Sequence, residues 1–430
     1  MKKMLCAILA ALLAVVPAAC ISRVQAESAG AFQPRLDPDT SCTITVIGSY
    51  SNFEALEAEF DLFNEYYPNV ELSYVKTDDY NNLLGTVLES GDAPNIFFSY
   101  QWMCGNEKYQ QVCNHMEDLS DPQLGLDLGC LRPGLLNYDA EGHLLMVPVF
   151  ARNYGMLVNN DLFAKEGLQV PTTWDELLAV CEVFLSKGYT SPIMGYSADP
   201  SGCLMNILVY PEVVAALAGN PEALQAANNM DPAAGEYMRP ALESMMQLIG
   251  KGYINLKECD EISDNYTQVI LRFFEGNVPM MICTGDTVSG TGKRESQSEA
   301  FSSAPFTYSF VPIPMSEAGG YFIDSPSIQF SVNKSCDNLD MTNEFMRFLV
   351  TPQELNRMAS VKRLVTPTTD LSFDSVYAPF SQIPAERVFS PEMIGITDPL
   401  ATQIRNAAYQ VGTGAITVDE AVSKYGSFTQ

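Results

Sequence analysis

Histidine and basic residues are scarce in this sequence, and each scarcity excludes a class of function. His115 and His143 are the only histidines and no Cys-x-x-Cys motif is present, so a zinc site has almost no ligands to draw on. Lys and Arg number 24 against 52 Asp and Glu, and the resulting charge of -28 disfavours nucleic acid and anionic membranes as partners. A Gly-x-Ser-x-Gly elbow is also missing. We therefore predict no metal, no cofactor and no catalysis by a known route.

Long apolar runs are limited to the N-terminus, where they predict a secretory leader. Lys2 and Lys3 form a basic start, and the apolar stretch from residue 4 to residue 16 is too short to span a bilayer. Two processing routes remain open: acylation of Cys20, which makes residues 1–19 the leader, or ordinary cleavage after Ala26. Both predict an extracytoplasmic protein, either secreted or held at the outer face of the cell membrane as a lipoprotein.

The cysteines do not form a recognisable disulfide framework. Of the 11 cysteines, Cys6 and Cys20 lie in the leader, and the rest are an odd, scattered set. Cys104 and Cys113 are close enough in sequence to pair locally. Most of the others are expected to be small buried apolar residues.

Length and apolar content favour two globular lobes. A chain of 430 residues exceeds the size at which a single core keeps growing, and 47% apolar residues are enough for sizeable cores. Residues 27–42 are rich in Ala, Ser, Gly, Pro and Asp, which is typical of a flexible lead-in. We expect the folded part to begin near residue 43.

Strand and helix patterns alternate from that point. Predicted strands at residues 42–50, 70–74 and 95–100 are separated by two helical patterns of apolar residues. Ser51 and Glu54 have the spacing of a capping box at the first of these helices. The β-α-β-α-β order predicts a doubly wound sheet with right-handed crossovers.

The segment from residue 157 to residue 178 carries the most information. It reads as a strand, a short helix, a turn and a second helix, whose start is marked by the capping-box spacing of Thr173 and Glu176. Its order resembles Tyr-Asn-Lys-Asp-Leu-Phe, then Gly-Leu, then Pro-x-Thr-Trp-Asp-Glu-Leu. That order is typical of the extracellular solute-binding proteins of ABC importers, the broad group that includes maltose-binding protein. Val158 and Asn160 stand where Tyr and Lys are usual.

Two further blocks carry the same resemblance. Residues 88–97 are similar to the family's Ser-Gly-x-x-Pro-Asp-(Val/Ile), with Asn95 in place of Asp, and residues 273–282 are similar to Phe-x-x-Gly-x-x-Ala-Met. The Gly-x-Trp that often follows is Gly285-Asp286-Thr287 here, so an aromatic platform is expected to be missing at that point. Residues 286–303 are polar and turn-rich, and we predict a surface loop.

The resemblance implies an α/β fold of two doubly wound lobes joined by hinge segments, of the type II periplasmic-binding-protein class. The links predict that residues 43–151 and 315–363 form the first lobe, and that residues 152–314 and 364–430 form the second. It also implies a monomer that captures a carbohydrate, expected to be an oligosaccharide, between its lobes. ABC permease transmembrane subunits would then be its partners.

Candidate ligand contacts follow from where strands end. In such a fold the ligand lies at the carboxyl ends of strands, near helix N-termini and loops. Tyr50 and Ser51 follow the first predicted strand, although Ser51 also fits a helix cap. Tyr100 and Trp102 follow the third strand, and an indole ring offers a flat apolar surface to sugar C–H groups.

The predicted links between lobes supply the other candidates. Arg152 and Asn153 lie at the first crossing and have donors for ligand oxygens, although Arg152 could equally pair with an acid. Asp286, Tyr321 and Asp324 lie in predicted loops near the second crossing. A carboxylate can accept hydrogen bonds from two neighbouring hydroxyls, which suits a sugar diol.

Two alternatives to sugar capture remain at this stage. The many acids and the leader also fit a secreted glycoside hydrolase or lyase, because paired carboxylates can hydrolyse glycosides. With 52 acids, however, their abundance does not diagnose such a pair. The same binding fold could instead hold a polyamine, a metal chelate or a peptide, since acid-rich loops accept cations.

Overall fold

The strands and helices expected after residue 42 are present in the computed structural model, which describes residues 32–104 and 106–428. The predicted leader, with Cys20 and Ala26, lies outside the described residues. The fold described below belongs to the compact unit that starts at Pro34. Its strands are β1 Cys42–Gly48, β2 Val70–Lys76, β3 Ile96–Ser99, β4 Val147–Pro148, β5 Ala151–Arg152, β6 Tyr154–Asn159, β7 Ile193–Gly195, β8 Met280–Thr284, β9 Tyr308–Val311, β10 Phe322–Ile323, β11 Ser325–Pro326, β12 Gln329–Val332 and β13 Val388–Phe389.

Helices follow most of these strands, as a doubly wound fold requires. The α-helices are α1 Glu54–Asn64, α2 Tyr80–Leu88, α3 Gln110–Asn114, α4 Asn160–Glu166, α5 Trp174–Ser186, α6 Leu204–Ala218, α7 Pro221–Asn228, α8 Arg239–Gly250, α9 Leu256–Glu261, α10 Tyr266–Phe273, α11 Gly285–Val288, α12 Thr291–Gln297, α13 Glu299–Ser303, α14 Leu339–Leu349, α15 Pro352–Lys362, α16 Pro391–Ile394, α17 Asp398–Gly412 and α18 Val418–Ser423. Short 3-10 helices, including Gln101–Met103 and Glu107–Tyr109, occupy several connections.

The first lobe is built on a five-stranded sheet in the order β2-β1-β3-β12-β4. Strand β1 runs parallel to β2 and β3, whereas β12 runs antiparallel to β3 and β4. Every residue of β3 is buried, which is the pattern of a strand covered on both faces. The parallel part of this sheet confirms the predicted β-α-β-α-β unit.

Helix α1 fixes one layer of the first lobe through its apolar stripe. Leu56, Phe60 and Phe63 are buried at helical spacing, and the Phe60 and Phe63 rings lie 5.6 and 5.2 Å from that of Phe345 on α14. Helix α15 also packs against α1. The chain segment that follows the second lobe in sequence therefore returns to complete the first.

The second lobe is built on a four-stranded sheet in the order β7-β8-β6-β9. Strand β7 runs parallel to β8, while β6 runs antiparallel to both β8 and β9. Helix α6 is apolar on most sides and packs against β8, α8 and α17. It therefore forms a buried layer of this lobe, and α17 returns from late in the chain to cover it.

Three chain segments meet where the chain passes between the two sheets. Strands β5 and β11 pair antiparallel, with Arg152 opposite Ser325. The Ala151 backbone N–H also donates to the Val365 carbonyl at 2.9 Å. This small paired group joins the lobes and places Arg152 at their border.

The helix start predicted at Thr173 is confirmed. Helices α5 and α18 each begin with a complete capping box, formed by Thr173 with Glu176 and by Thr417 with Glu420. Helix α15 starts at Pro352, with Thr351 as its side-chain cap. Across the described part of the chain, no helix combines the length and apolar character needed to cross a membrane.

Two local predictions were wrong. Ser51 and Glu54 form no capping box, because α1 starts with Phe53 at the N-cap and that position makes no side-chain cap bond. The Phe53 ring is fully buried, so core packing sets the start of this helix. Residues 286–303 are not a loop either. They fold into the short helices α11, α12 and α13, which Val288, Thr291 and the Ser298 cap anchor to the lobe.

Candidate functional site

A cavity of about 1690 Å³ opens between the two lobes. One wall comes from residues 101–104 and 106–109, which follow β3 of the first sheet. The opposite wall includes Thr284 and Asp286, at the carboxyl end of β8 in the second sheet, and Tyr154 at the adjacent start of β6. The cavity thus lies at the edges where open α/β sheets bind ligands.

Trp102 forms an aromatic platform on the first-lobe wall. Its ring stacks on Tyr100 with centroids 5.6 Å apart and planes 10° apart, and it meets Tyr109 edge-on at 5.0 Å. The residue nevertheless stays 36% exposed and lines the cavity. Tyr100 and Tyr109 therefore hold the indole in place while leaving part of its apolar surface available to a ligand.

Arg152 and Asp286 form an ion pair on the opposite side. The Arg152 Nη1 atom lies 3.4 Å from the Asp286 Oδ2 atom, and both side chains are more than a third exposed. The Ser327 hydroxyl donates to the other Asp286 oxygen. These contacts fix the carboxylate where the lobes join, and its exposed part can still accept hydrogen bonds from a ligand.

Two tyrosines selected from the sequence lie behind this ion pair. Burial raises the pKa of Tyr50, and the nearby Asp286 carboxylate raises it further. The pKa of Tyr100 is raised by the same two causes. Both groups therefore stay protonated and neutral. The structure brings Tyr50, Tyr100, Arg152 and Asp286 together, although neither tyrosine is part of the cavity lining.

The other four residues predicted as ligand contacts lie outside the lining. Ser51 is exposed on the first lobe. Asn153 is fully buried beside Gly285, and its backbone carbonyl accepts the Gly285 N–H at 2.9 Å. The Tyr321 ring packs 5.6 Å from that of Phe389. Asp324 is buried and accepts two bonds of 2.7 Å from the Arg132 guanidinium, so its charge is already paired.

Several cavity residues were not recognised from the sequence. Tyr154, Tyr210 and Tyr266 bring three more aromatic rings to the second-lobe wall, with the first two 5.5 Å apart. The segment 391–405 adds Glu392, Asp398 and Arg405. A signal for this segment did exist, because Thr397 followed by Pro399 marks the start of a helix, and Thr397 caps α17.

Six lining residues each have a buried polar atom without a hydrogen-bond partner among the described residues. These atoms are Gln101 Oε1, Asn137 Nδ2, Arg152 Nε, Asn206 Oδ1, Arg294 Nε and Glu392 Oε2. Buried polar groups in proteins are normally paired, because an unpaired one costs about 1–3 kcal/mol. Their concentration around one cavity is typical of a wall that bonds to a polar ligand.

Glu392 is a lining carboxyl whose pKa is shifted close to neutral pH. Burial raises its pKa to about 7; Arg152 opposes this shift, and Asp324 and Asp398 reinforce it. Close to neutral pH this side chain therefore exchanges between carboxylic acid and carboxylate. It can donate or accept a hydrogen bond depending on its protonation state.

Basic side chains balance the acids of the wall. Lys108, Arg152, Arg294 and Arg405 all line the cavity. Among the residues that the structure describes, no carboxylate lies within 4.0 Å of Arg294 or Arg405, which donate to the hydroxyls of Thr267 and Thr402. The cavity therefore mixes aromatic surface, donors and charges of both signs, which is unlike a site for a simple cation.

A cluster of potential metal ligands lies outside the cavity lining. Asp139, Glu141 and His143 place ligand atoms within 4.8 Å of one another on the surface. The Asp139 carboxylate accepts the backbone N–H groups of Glu141 and His143. Together with the backbone bond from the Asp139 N–H to the His143 carbonyl, these bonds hold a turn, and hydrogen bonding from His143 lowers the pKa of Asp139.

Comparison with known proteins identifies the family. The family model for the bacterial extracellular solute-binding protein matches residues 48–355, which is well over half of the chain. An uncharacterized ABC transporter extracellular-binding protein of Pyrococcus horikoshii is 25% identical over 169 residues, 37% of this chain and 38% of its own. A probable sugar-binding periplasmic protein of Rhizobium meliloti is 32% identical over 111 residues, 25% of each chain. The matches thus span well under half the length of these relatives.

Solved structures show the same fold over nearly the whole chain. RafE from Streptococcus pneumoniae, in its apo form, has a TM-score of 0.66 at 19% identity and covers 91% of this chain and 98% of its own. The sugar-binding protein MalE of Xanthomonas citri has a TM-score of 0.67 at 18% identity, covering 89% and 95%. A Bacillus licheniformis sugar transporter in complex with stachyose has a TM-score of 0.63 at 16% identity, covering 90% and 100%. The chain has the two-lobed type II fold and belongs to the family of bacterial extracellular solute-binding proteins.

Proposed function

We propose that this chain is the substrate-binding subunit of an ABC importer and that it captures an oligosaccharide in the cavity between its lobes. The observation that carries the proposal is the composition of that cavity. The partly exposed ring of Trp102 and the carboxylate of Asp286 both line the cavity, and six lining residues have polar atoms with no partner in the described part of the chain. Sugars present apolar C–H faces and many hydroxyls, so they match both kinds of surface.

The size of the cavity supports an oligosaccharide over a single sugar. Its volume of about 1690 Å³ exceeds the range of roughly 300–1,000 Å³ that is usual for small-molecule sites. A solved structure of RafE contains raffinose, and the B. licheniformis relative contains stachyose. Raffinose and stachyose are therefore the first glycans to test.

The wall disfavours the polyamine alternative. Arg294 and Arg405 form no ion pair within 4.0 Å among the described residues, and Arg152 also lines the cavity. A polycation would meet these guanidinium groups at close range, where like charges repel. The uncharged hydroxyls of a glycan can accept hydrogen bonds from the same groups.

We further propose that the lobes close around the ligand. The paired segments β5 and β11, together with Val365, would serve as the hinge. Strand β10 (Phe322–Ile323) pairs with β13 (Val388–Phe389), which lies in the part of the chain assigned to the second lobe. This pairing favours a boundary near residue 325 rather than at residue 315. A ligand that contacts both lobes only when they are closed shifts the equilibrium towards the closed form.

We also propose the partners and the location of the protein. ABC permease subunits would recognise the closed form, and the protein would act as a monomer outside the cytoplasm. The leader would end either before an acylated Cys20 or after Ala26. Mass spectrometry of the mature N-terminus distinguishes a lipidated Cys20 from an unmodified Glu27.

Calorimetric titration with a glycan panel that includes raffinose and stachyose tests the proposal. We expect saturable binding of one glycan per protein chain, with the glycan recovered intact by chromatography afterwards. Shortened glycans in the recovered sample would support the hydrolase or lyase alternative. Absence of binding to every glycan, together with binding of spermidine, would replace the sugar with a cation.

A further inference from the structure

Two cysteines lie side by side at the rim of the cavity. The Cys104 and Cys113 Sγ atoms are 3.6 Å apart, and both residues are partly exposed. Five of the other described cysteines are buried. Cys104 lines the cavity two residues after Trp102, and Cys113 lies in the short helix α3.

The surroundings of this pair show what a bond between the two sulfurs would hold together. The Cys113 thiol contacts the Met103 carbonyl at 3.8 Å, in the 3-10 helix that carries Trp102. Tyr109, which meets the Trp102 ring at 5.0 Å, lies just before α3. Backbone bonds in this segment are local, such as Met103 to Tyr100 and Tyr109 to Asn106. A cross-link would therefore fasten the aromatic platform to α3.

We propose that Cys104 and Cys113 form a disulfide by exchange with a disulfide donor of the extracytoplasmic space, and that this bond fixes the aromatic platform of the cavity. A covalent S–S bond is about 2.05 Å long, so the sulfurs need to approach by a small side-chain movement. Structural disulfides persist in oxidising compartments, where this family of proteins is found.

The exchange proceeds in two steps that balance. The Cys113 thiolate attacks one sulfur of the donor R–S–S–R, forms a mixed disulfide and releases one thiolate. The Cys104 thiol then loses its proton and attacks the Cys113 sulfur, which forms the protein disulfide and releases the second thiolate. The donor gains two electrons and two protons as 2 RSH, and the two cysteines are oxidised.

The pKa shifts of the two thiols indicate that Cys113 is the cysteine that attacks the donor first. The pKa of Cys113 is lowered by the hydrogen bond that its sulfur shares with the Cys104 sulfur. The same contact, followed by burial, raises the pKa of Cys104. The thiolate is the attacking form of cysteine, so the sulfur with the lower pKa reacts first.

Oxidised glutathione is the probe that tests this inference. The folded mature protein is incubated with it, the remaining thiols are alkylated, and the peptides are mapped by mass spectrometry without reduction. We expect the Cys104 and Cys113 peptides to be joined and the pair to be two hydrogen atoms lighter than the reduced peptides. A Cys336→Ser variant keeps the bond, whereas Cys113→Ser leaves Cys104 as a glutathione adduct or a free thiol.

The structural consequence is measured by amide hydrogen exchange on the same samples. In the oxidised wild type, exchange in residues 107–114 should slow on the order of tenfold relative to the reduced protein, because local opening is restrained. Cys113→Ser should show no redox dependence. Free or separately glutathionylated thiols at both positions in the wild type would overturn the inference. Neither readout uses a sugar, so the outcome is independent of the proposed function.

Discussion

At the scale of single residues, Trp102 is the side chain that we most expect to contact the ligand. Its indole is held by Tyr100 and Tyr109 yet remains 36% exposed in the cavity. We expect Trp102→Ala to weaken glycan binding at least tenfold, because buried aromatic anchors commonly dominate binding energy. Calorimetry of the variant measures the loss.

The matched control for this substitution is Trp174→Phe. Trp174 is the other tryptophan of the chain and packs against the core of the second lobe at the start of α5. This variant should bind the glycan as the wild type does. Equal affinity of Trp102→Ala and the wild type would show that the platform does not contact the ligand.

The raised pKa of Glu392 predicts that the stability of the protein depends on pH. Its folded pKa of about 7, raised first by burial, exceeds the usual value near 4.5. Between these pH values the folded protein keeps a proton that the unfolded chain loses. Its contribution to stability therefore falls as the pH rises from about 4.5 to 7 and is constant above. Glu392→Gln should remove this decrease, which is on the order of 3 kcal/mol, and urea unfolding at several pH values measures it.

Glu212 provides the control for that experiment. Burial alone raises its pKa to about 7, but it is not part of the cavity lining. Glu212→Gln should reduce the pH dependence of stability and leave the pH profile of glycan affinity unchanged. Glu392→Gln should reduce the pH dependence of both. A wild-type affinity profile in the Glu392 variant would mean that this carboxyl does not meet the ligand.

The sequence allowed prediction of only some cavity residues, for a physical reason. Trp102 and Asp286 follow strand ends, and ligands bind at the edges of such sheets. The order of strands and loops along the chain was therefore sufficient to predict these two residues. Tyr210 lies within the apolar helix α6, where its spacing is that of a core residue. Its place in the cavity depends on how α6 packs between β8 and α17, which local patterns do not contain.

At the scale of elements, the capping-box spacing predicted one helix start correctly and failed at another. Thr173 accepts the Glu176 N–H at 3.3 Å, and Glu176 in turn accepts the Thr173 N–H. The spacing of Ser51 and Glu54 is identical, but there the buried Phe53 ring sets the helix start. Short helices such as α11, α12 and α13 were missed because fewer than eight residues give too little periodicity to detect.

The capping box of α5 makes a quantitative prediction. Thr173→Ala removes the side-chain acceptor for the Glu176 N–H and should lower the free energy of unfolding by about 1 kcal/mol. Thr173→Ser keeps a hydroxyl in the same place and should stay close to the wild type. Urea unfolding monitored by circular dichroism compares the three proteins. Equal loss in both variants would attribute the effect to the lost methyl group rather than to the cap.

At the scale of the whole molecule, the sequence was sufficient for the two-lobed class but not for the junction. The family-like blocks lie at strand and helix boundaries inside each lobe, so they identify the architecture. The junction depends on long-range pairs such as Arg152 with Ser325. Arg363 adds a contact between lobes: it ends α15 on the first, while its guanidinium donates to Glu295 at 2.7 Å and Tyr308 at 3.0 Å on the second.

The most direct test of the whole account is the crystal structure of the protein saturated with a glycan that binds in calorimetry. We predict an intact oligosaccharide in the cavity between the lobes, with one sugar ring against Trp102 and hydroxyls bonded to Asp286. The lobes should lie closer together than in crystals of the free protein. A glycan bound elsewhere on the surface, or a cleaved product in the cavity, would contradict the account.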